Sequence, residues 1–270
     1  MPSWLIALDT CPSTSTWALD HLEALAHGAV VWTGRQTAGR GRDGRTWYAP
    51  PGVLTASVVL DLPVAPATAR PRPPGASSFA AESPLPLAAG LAVAHAVEDA
   101  CPGLRVALKW PNDCLVDGRK LAGILGESVA GQGARPPRMV VGIGLNIDPR
   151  WDLTPDALAF AATRRTTSLA ELVQGDLPAM PDLIAGIRRY LLEAAGLISA
   201  GSWSQIAPEI AARDALLGRP VTVTDGDRRI LGVAAGLDEI GRLRIRTPDQ
   251  GIVVVAGGHV EDVGPIPVVP

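Results

Sequence analysis

Two rhythms of apolar residues divide the 270-residue chain. Short runs rich in Val, Leu and Ile, closed by Gly, Pro or Asp, predict strands at Trp4–Leu8, Ala29–Thr33, Val53–Leu60, Leu104–Trp110, Cys114–Val116, Leu121–Glu127 and Met139–Ile147. Helical spacing appears at Ser15–Ala26, where Ser and Thr can cap the start and Trp17, Leu22 and Leu25 share a face. It returns at Pro181–Gly196, with Leu183, Ile187, Tyr190 and Leu191 on one side. Leu87–Ala100 reads as a buried, Ala-rich helix. Strands in bunches with few helices between them favour an α+β sheet over a doubly wound one.

From Gly218 the texture changes. Val221–Thr224, Arg229–Ala235, Leu243–Arg246 and Ile252–Ala256 are short strands separated by Asp-Gly-type turns, a hairpin pattern that predicts a small barrel. The expected division is a catalytic domain over residues 1–214 and a small β-domain over 215–270. Leu62–Pro86 holds seven prolines among Ala, Ser, Arg and Gly and predicts a mobile insertion.

Composition narrows the function classes. Hydrophobic residues make up 47% and charged residues 19%, so the chain has the means to build a core. A net charge of -3 excludes a wholly basic nucleic-acid coat, and any anion site must be concentrated locally. Cys11, Cys101 and Cys114 include no CxxC pair, which disfavours a disulfide framework or a zinc ribbon. The first residues show no basic leader, and Leu85–Val97 falls short of the ~20 residues a membrane span needs. A cytoplasmic protein is expected.

Three segments carry candidate chemistry. Gly39-Arg40-Gly41-Arg42-Asp43-Gly44-Arg45 matches a GxGxxG spacing, but Thr46–Gly52 cannot open the helix that a dinucleotide loop requires. The alternative is a flexible loop whose glycines let an anion approach while guanidinium forks bind it. Lys109-Trp110-Pro111-Asn112-Asp113 ends a strand with polar residues at a turn, and Arg119–Leu125 opens the next strand with Lys120 at its rim. Val140–Asn146 sets Gly142 and Gly144 inside a strand, as expected where a ligand or another backbone comes close.

Together with Pro12-Ser13-Thr14-Ser15 and Gln36-Thr37-Ala38, these segments resemble, in order, the motifs of the biotin protein ligases, from about Cys11 to Val263. The resemblance implies an α+β catalytic domain, a class II aminoacyl-tRNA synthetase-like mixed sheet with helices, followed by a small SH3-like barrel. It implies a two-step reaction in which biotin and ATP give biotinyl-5'-adenylate and a lysine of a biotin carboxyl carrier protein then takes the biotinyl group. Biotin contacts are implied for Ser13, Thr14, Gln36, Gly39, Arg40, Arg42, Lys120 and Gly123. The ATP and adenylate side is implied for Arg40, Arg45, Trp47, Asn112, Asp113, Lys120 and Asn146. Arg40 and Lys120 are expected to neutralise the reacting anions, and Asp113 to accept a proton from the carrier lysine.

Mg²⁺ is expected to ride on the ATP phosphates, with no metal site of the protein's own. The arginine loop is expected to be loose when empty and to close over the intermediate. Many relatives have Ser-Thr-Asn where this chain has Ser13-Thr14-Ser15. About a dozen residues precede Ser13, so neither a DNA-binding domain nor a repressor role is expected, nor any membrane attachment, and the chain would act as a monomer or homodimer. Two other readings stay open: a lipoate or octanoate protein ligase, and a non-catalytic module that binds anions or RNA through the same basic loop.

Overall fold

The computed structural model of the chain describes residues 2–62, 83–131, 136–150, 166–249 and 251–262. Most of the Leu62–Pro86 insertion, residues 63–82, lies outside them. Seven strands form one mixed sheet: β1 (Leu5–Leu8), β2 (Val30–Thr33), β3 (Val53–Asp61), β4 (Ala107–Lys109), β5 (Asp113–Val116), β6 (Arg119–Val129) and β7 (Arg138–Asn146), in the order β1-β2-β3-β7-β6-β5-β4. Only β1 and β2 run parallel; every other neighbouring pair is antiparallel. The predicted α+β class is what the sheet shows.

Period-two alternation in the central strands explains where the cleft lies. Leu54, Ala56, Val58 and Leu60 of β3, with Val141, Ile143 and Leu145 of β7, face the large core beneath helices α2 (Leu85–Ala100) and α4 (Met180–Ser199). On the opposite face Val59 and Val140 join Ala18, Leu22 and Leu25 in a smaller core under helix α1 (Thr14–Asp20). Further along that second face stand Thr55 and Ser57 of β3, Gly142 and Gly144 of β7 and Gly123 of β6. The pairings line them up in two rows, Ser57–Gly142–Leu125 and Thr55–Gly144–Gly123–Asp113. Polar and small residues thus interrupt an otherwise apolar sheet on one face only. Helix α2 is buried on nearly every side because it lies between the sheet and α4, and its alanines permit close approach, with Gly186 of α4 set against Ala96.

Four elements differ from the sequence reading. Helix α1 stops at Asp20, where His21 caps it, and Leu22–Ala24 tightens into a 3-10 turn, leaving Leu22 and Leu25 buried as expected. The strand expected at Leu104–Trp110 is only Ala107–Lys109, because the Val106 N–H bonds to Glu98 Oε1 at 2.8 Å rather than to a ladder. Two short helices, α3 (Leu169–Leu172) and α5 (Ala207–Ala212), carry too little periodicity to be seen in sequence.

The remaining strands, β8 (Pro220–Asp225), β9 (Arg228–Leu237), β10 (Leu243–Thr247), β11 (Gly251–Val255) and β12 (His259–Asp262), form a five-stranded antiparallel sheet ordered β11-β10-β9-β8-β12. Four match the predicted hairpins; β12 is a fifth. This sheet is tied to the larger one at β4: Leu108 N–H donates to Arg213 O at 2.7 Å and Ala215 N–H to Leu108 O at 2.9 Å. Trp110, buried in the core, donates its indole N–H to Gly241 O at 3.2 Å.

Candidate active site

Residues 39–47 fold back on themselves as a narrow hairpin. Trp47 N–H donates to Gly39 O at 2.9 Å and Gly41 N–H to Arg45 O at 2.7 Å, with Arg40 bridged to Thr46 between them. Asp43, at φ 56, supplies the left-handed residue that turns the tip. At its base Gly39 has no room for a side chain: a Cβ would overlap the Trp47 carbonyl oxygen and stand 2.6 Å from Gln36 Nε2.

The hairpin overhangs the floor of small residues. Trp47 lies on it so closely that a Cβ at Gly144 would collide with the indole, and the ring stands over Lys120, whose Nζ is 5.4 Å from its centroid. Its indole N–H is buried without a hydrogen-bond partner among the described residues. The strand glycines were read as admitting a ligand or another backbone; here they also admit this chain's own tryptophan.

A cleft of about 760 Å³ lies between hairpin, floor and the C-terminal sheet. Arg40, Arg42, Arg45, Lys109, Lys120 and Arg219 line it, against Asp43, Asp113 and Glu261. Six cations against three carboxylates leave the cleft net positive in a chain of net charge -3, and a cleft with such an excess attracts anions. One wall carries hydroxyls and an amide. Ser13 caps α1, its Oγ accepting from Thr16 N–H at 3.4 Å, and Gln36 Oε1 accepts from Thr14 N–H at 2.9 Å. Ser13, Thr14 and Ser15 are all buried.

Four of the cations already have partners. Lys120 Nζ pairs with Asp113 Oδ1 at 2.5 Å across neighbouring strands. Arg40 donates to Thr16 Oγ1 at 2.9 Å and pairs closely with Glu127 of β6. Arg42 donates to Asn112 Oδ1 at 3.2 Å and to Gly258 O at 3.3 Å. Burial lowers the Arg42 pKa, partly countered by Asp43 and Asp113. Arg45 meets His259 Nδ1 at 3.1 Å, and burial together with that guanidinium lowers the His259 pKa. Neutral His259 can then accept from Arg45, which joins the hairpin to β12.

Most of the sequence-predicted site residues therefore converge. Ser13, Thr14, Gln36, Arg40, Arg42, Arg45, Trp47, Asn112, Asp113, Lys120 and Gly123 all line the cleft. Two do not: Gly39 is the packed base of the hairpin, and Asn146 is buried, its amide donating to Thr167 O at 3.0 Å. Asn112 holds the site's frame as well as facing it, since its Nδ2 donates to Ile124 O at 2.7 Å. Glu127, Thr16, Ser57 and the Gly258–His259 segment were not identified from sequence. Glu127 left a signal, as the only carboxylate in the β6 run.

Among the described residues no three His, Cys, Asp or Glu side chains stand close enough to hold a metal ion. No helix among them is long and apolar enough to cross a membrane. All three cysteines are buried thiols; Cys114 is pushed up to about 12 by burial and by Asp113, which makes it inert as a nucleophile.

This chain belongs to the biotin protein ligases: residues 7–146 match the Biotin/lipoate A/B protein ligase family and residues 216–261 the Biotin protein ligase C terminal domain. Among relatives, the biotin--[acetyl-CoA-carboxylase] ligase of Paracoccus denitrificans is 33% identical, with 90% of this chain and 95% of that protein covered. The protein of the same name in Mycobacterium tuberculosis is 35% identical, over 94% of this chain and 88% of that one. Among solved structures, the biotin protein ligase of Aquifex aeolicus in complex with biotin and ATP superposes with a TM-score of 0.74 at 26% identity, covering 95% and 97% of the two chains.

Proposed function

We propose that this chain joins biotin to ATP as biotinyl-5'-adenylate and passes the biotinyl group to a lysine of a biotin carboxyl carrier protein. The observation that supports it most is the single cleft that brings a hydrogen-bonding wall of Ser13, Thr14 and Gln36 together with Arg40, Arg42, Arg45 and Lys120. Biotin needs such a wall for its ring urea. Its carboxylate and the ATP α-phosphate, two anions that repel, need such cations.

In the first step a biotin carboxylate oxygen attacks the α-phosphorus, the bond to the bridging oxygen of the β-phosphate breaks, and pyrophosphate leaves. Lys120, held in place by Asp113, and Arg40, released from Glu127, neutralise the charge gathering on the α-phosphoryl oxygens. Arg45 and Asn112 face the nucleotide, and Mg²⁺ enters with the ATP phosphates as part of the substrate. In the second step the carrier lysine attacks the acyl carbon and AMP leaves. Asp113 takes the proton that the lysine must lose to become a nucleophile. The division into residues 1–214, which hold both substrates, and residues 215–270, which close the cleft through Gly258 and His259, is part of the same reading. A cytoplasmic setting suits a carrier protein and ATP as co-substrates.

Pyrophosphate exchange into ATP tests the reading: it should depend on biotin and be indifferent to lipoate. Exchange driven by lipoate, or exchange without biotin, would contradict it. The hairpin's role in shielding the mixed anhydride has its own test. A methyl group at Gly39 collides with the Trp47 carbonyl and so opens the hairpin at its base. Gly39→Ala should therefore release pre-formed adenylate at least about tenfold faster in a trapped-intermediate dissociation assay. Release at the wild-type rate would show that the hairpin does not retain the intermediate.

A further inference from the structure

Ser15 closes the Ser13-Thr14-Ser15 run at the start of α1, and its hydroxyl enters a buried chain. Ser15 Oγ lies 3.1 Å from Ser57 Oγ. Ser57 donates to Thr14 Oγ1 at 2.8 Å. Thr14 Oγ1 in turn reaches Gln36 Oε1 at 3.4 Å, an oxygen that already accepts the Thr14 N–H at 2.9 Å. A hydroxyl has one proton to give. The Ser57 proton is committed to Thr14, so Ser15 is the donor in the Ser15–Ser57 contact. The chain then runs one way, from Ser15 through Ser57 and Thr14 to Gln36.

The surroundings shut that chain off from solvent. Ser57 is fully buried, and Thr14 and Ser15 are nearly so. Gly142, opposite Ser57 in the sheet, leaves the gap the Ser15 hydroxyl fills: a Cβ there would stand 2.5 Å from Ser15 Oγ. Away from bulk water, aligned hydroxyls polarise one another. The last proton, that of Thr14, is held by the longest link, to Gln36 Oε1, in a residue that lines the cleft. It is the one a ligand can take.

We infer that Ser57 and Ser15 are positioning residues that orient the Thr14 hydroxyl as a polarised donor to an uncharged acceptor on the substrate, the ring urea oxygen of biotin. The inference rests on the biotin reading above. Ser57 does not line the cleft and acts only through Thr14. A ligand oxygen that takes the Thr14 proton from its long link to Gln36 is favoured over any group that carries hydrogens there.

Ser57→Ala removes the middle of the chain at the cost of one buried oxygen. The full-length chain is titrated calorimetrically with biotin and with 2-iminobiotin, whose urea oxygen is replaced by a hydrogen-bearing nitrogen. The Michaelis constants for biotin and ATP are read from pyrophosphate exchange. Losing one polarised hydrogen bond should weaken biotin roughly tenfold while 2-iminobiotin and the KM for ATP move less than about twofold. Ser15→Ala should shift the same preference in the same direction by a smaller factor, and it carries the test if Ser57→Ala does not fold. Equal weakening of both ligands, or no change in either, overturns the relay and leaves the biotin reading standing. A wild-type chain that neither binds biotin nor exchanges pyrophosphate in its presence overturns both.

Discussion

Lys120→Ala should lower the rate of biotin-dependent adenylate formation by about 10²–10³, equivalent to about 3–4 kcal/mol of transition-state stabilisation, with the fold intact. Lys120, the second residue of β6, lies beneath Trp47 and 2.5 Å from Asp113, so its ammonium is fixed before any substrate arrives. A charge positioned in advance does not have to reorganise when the α-phosphoryl group gathers negative charge, and such preorganisation gives one group this large an effect. Single-turnover adenylate synthesis, with circular dichroism to confirm folding, measures it. Near wild-type rates in a folded variant would remove Lys120 from the chemistry and leave the Asp113 pair as a structural tie.

Arg213→Ala should be the most destabilising of the changes considered, costing about 3–5 kcal/mol. The Arg213 side chain is 2% exposed and forks onto Glu98 at 2.5 and 2.9 Å, with further bonds to Glu209 at 3.2 Å and Val106 O at 3.1 Å. Removing it strands a carboxylate that is itself only 18% exposed. The loss should lower the melting temperature by about 10 °C. Burial alone would raise the Glu98 pKa; the Arg213 fork, the Val106 amide and Arg105 outweigh burial and hold it low. A carboxyl lowered in the folded state stabilises above its unfolded pKa, and that stability is lost as pH falls toward the folded value. The wild type should therefore lose stability on acidification through the carboxylate range more steeply than Arg213→Ala. Parallel melting curves across that range would show that the pair is not the clamp.

What the sequence disclosed follows from the range of each interaction. The central strands were legible because their burial on one or both faces leaves long Val- and Leu-rich runs. The glycines at 142 and 144 stood out because a strand interior has no local use for them. The arginine loop and the Lys109–Asp113 turn were legible as chemistry because each concentrates its donors within a few residues. Illegible were contacts made across the fold. Arg40 meets Glu127 from 87 residues away and Arg45 meets His259 from 214 away, and no local pattern announces either. Ser57 looks like an ordinary polar step in an alternating strand until β3 is set opposite Gly142 and beside Ser15. The resemblance implies a nucleotide contact for Asn146, whereas its amide turns inward to Thr167. The shortened β4 has the same origin, a side chain of α2 taking the Val106 amide that the strand would have used.

The central claim is that one cleft, between the arginine hairpin and the glycine-lined sheet, brings biotin and ATP together. A crystal structure of the chain grown with both substrates tests it most directly. The account predicts biotinyl-5'-adenylate in that cleft, its ring urea against Thr14 and Gln36 and its phosphoryl oxygens on Lys120 and an Arg40 that has left Glu127. Density for either substrate at another site, with the hairpin still latched to Glu127, would contradict it.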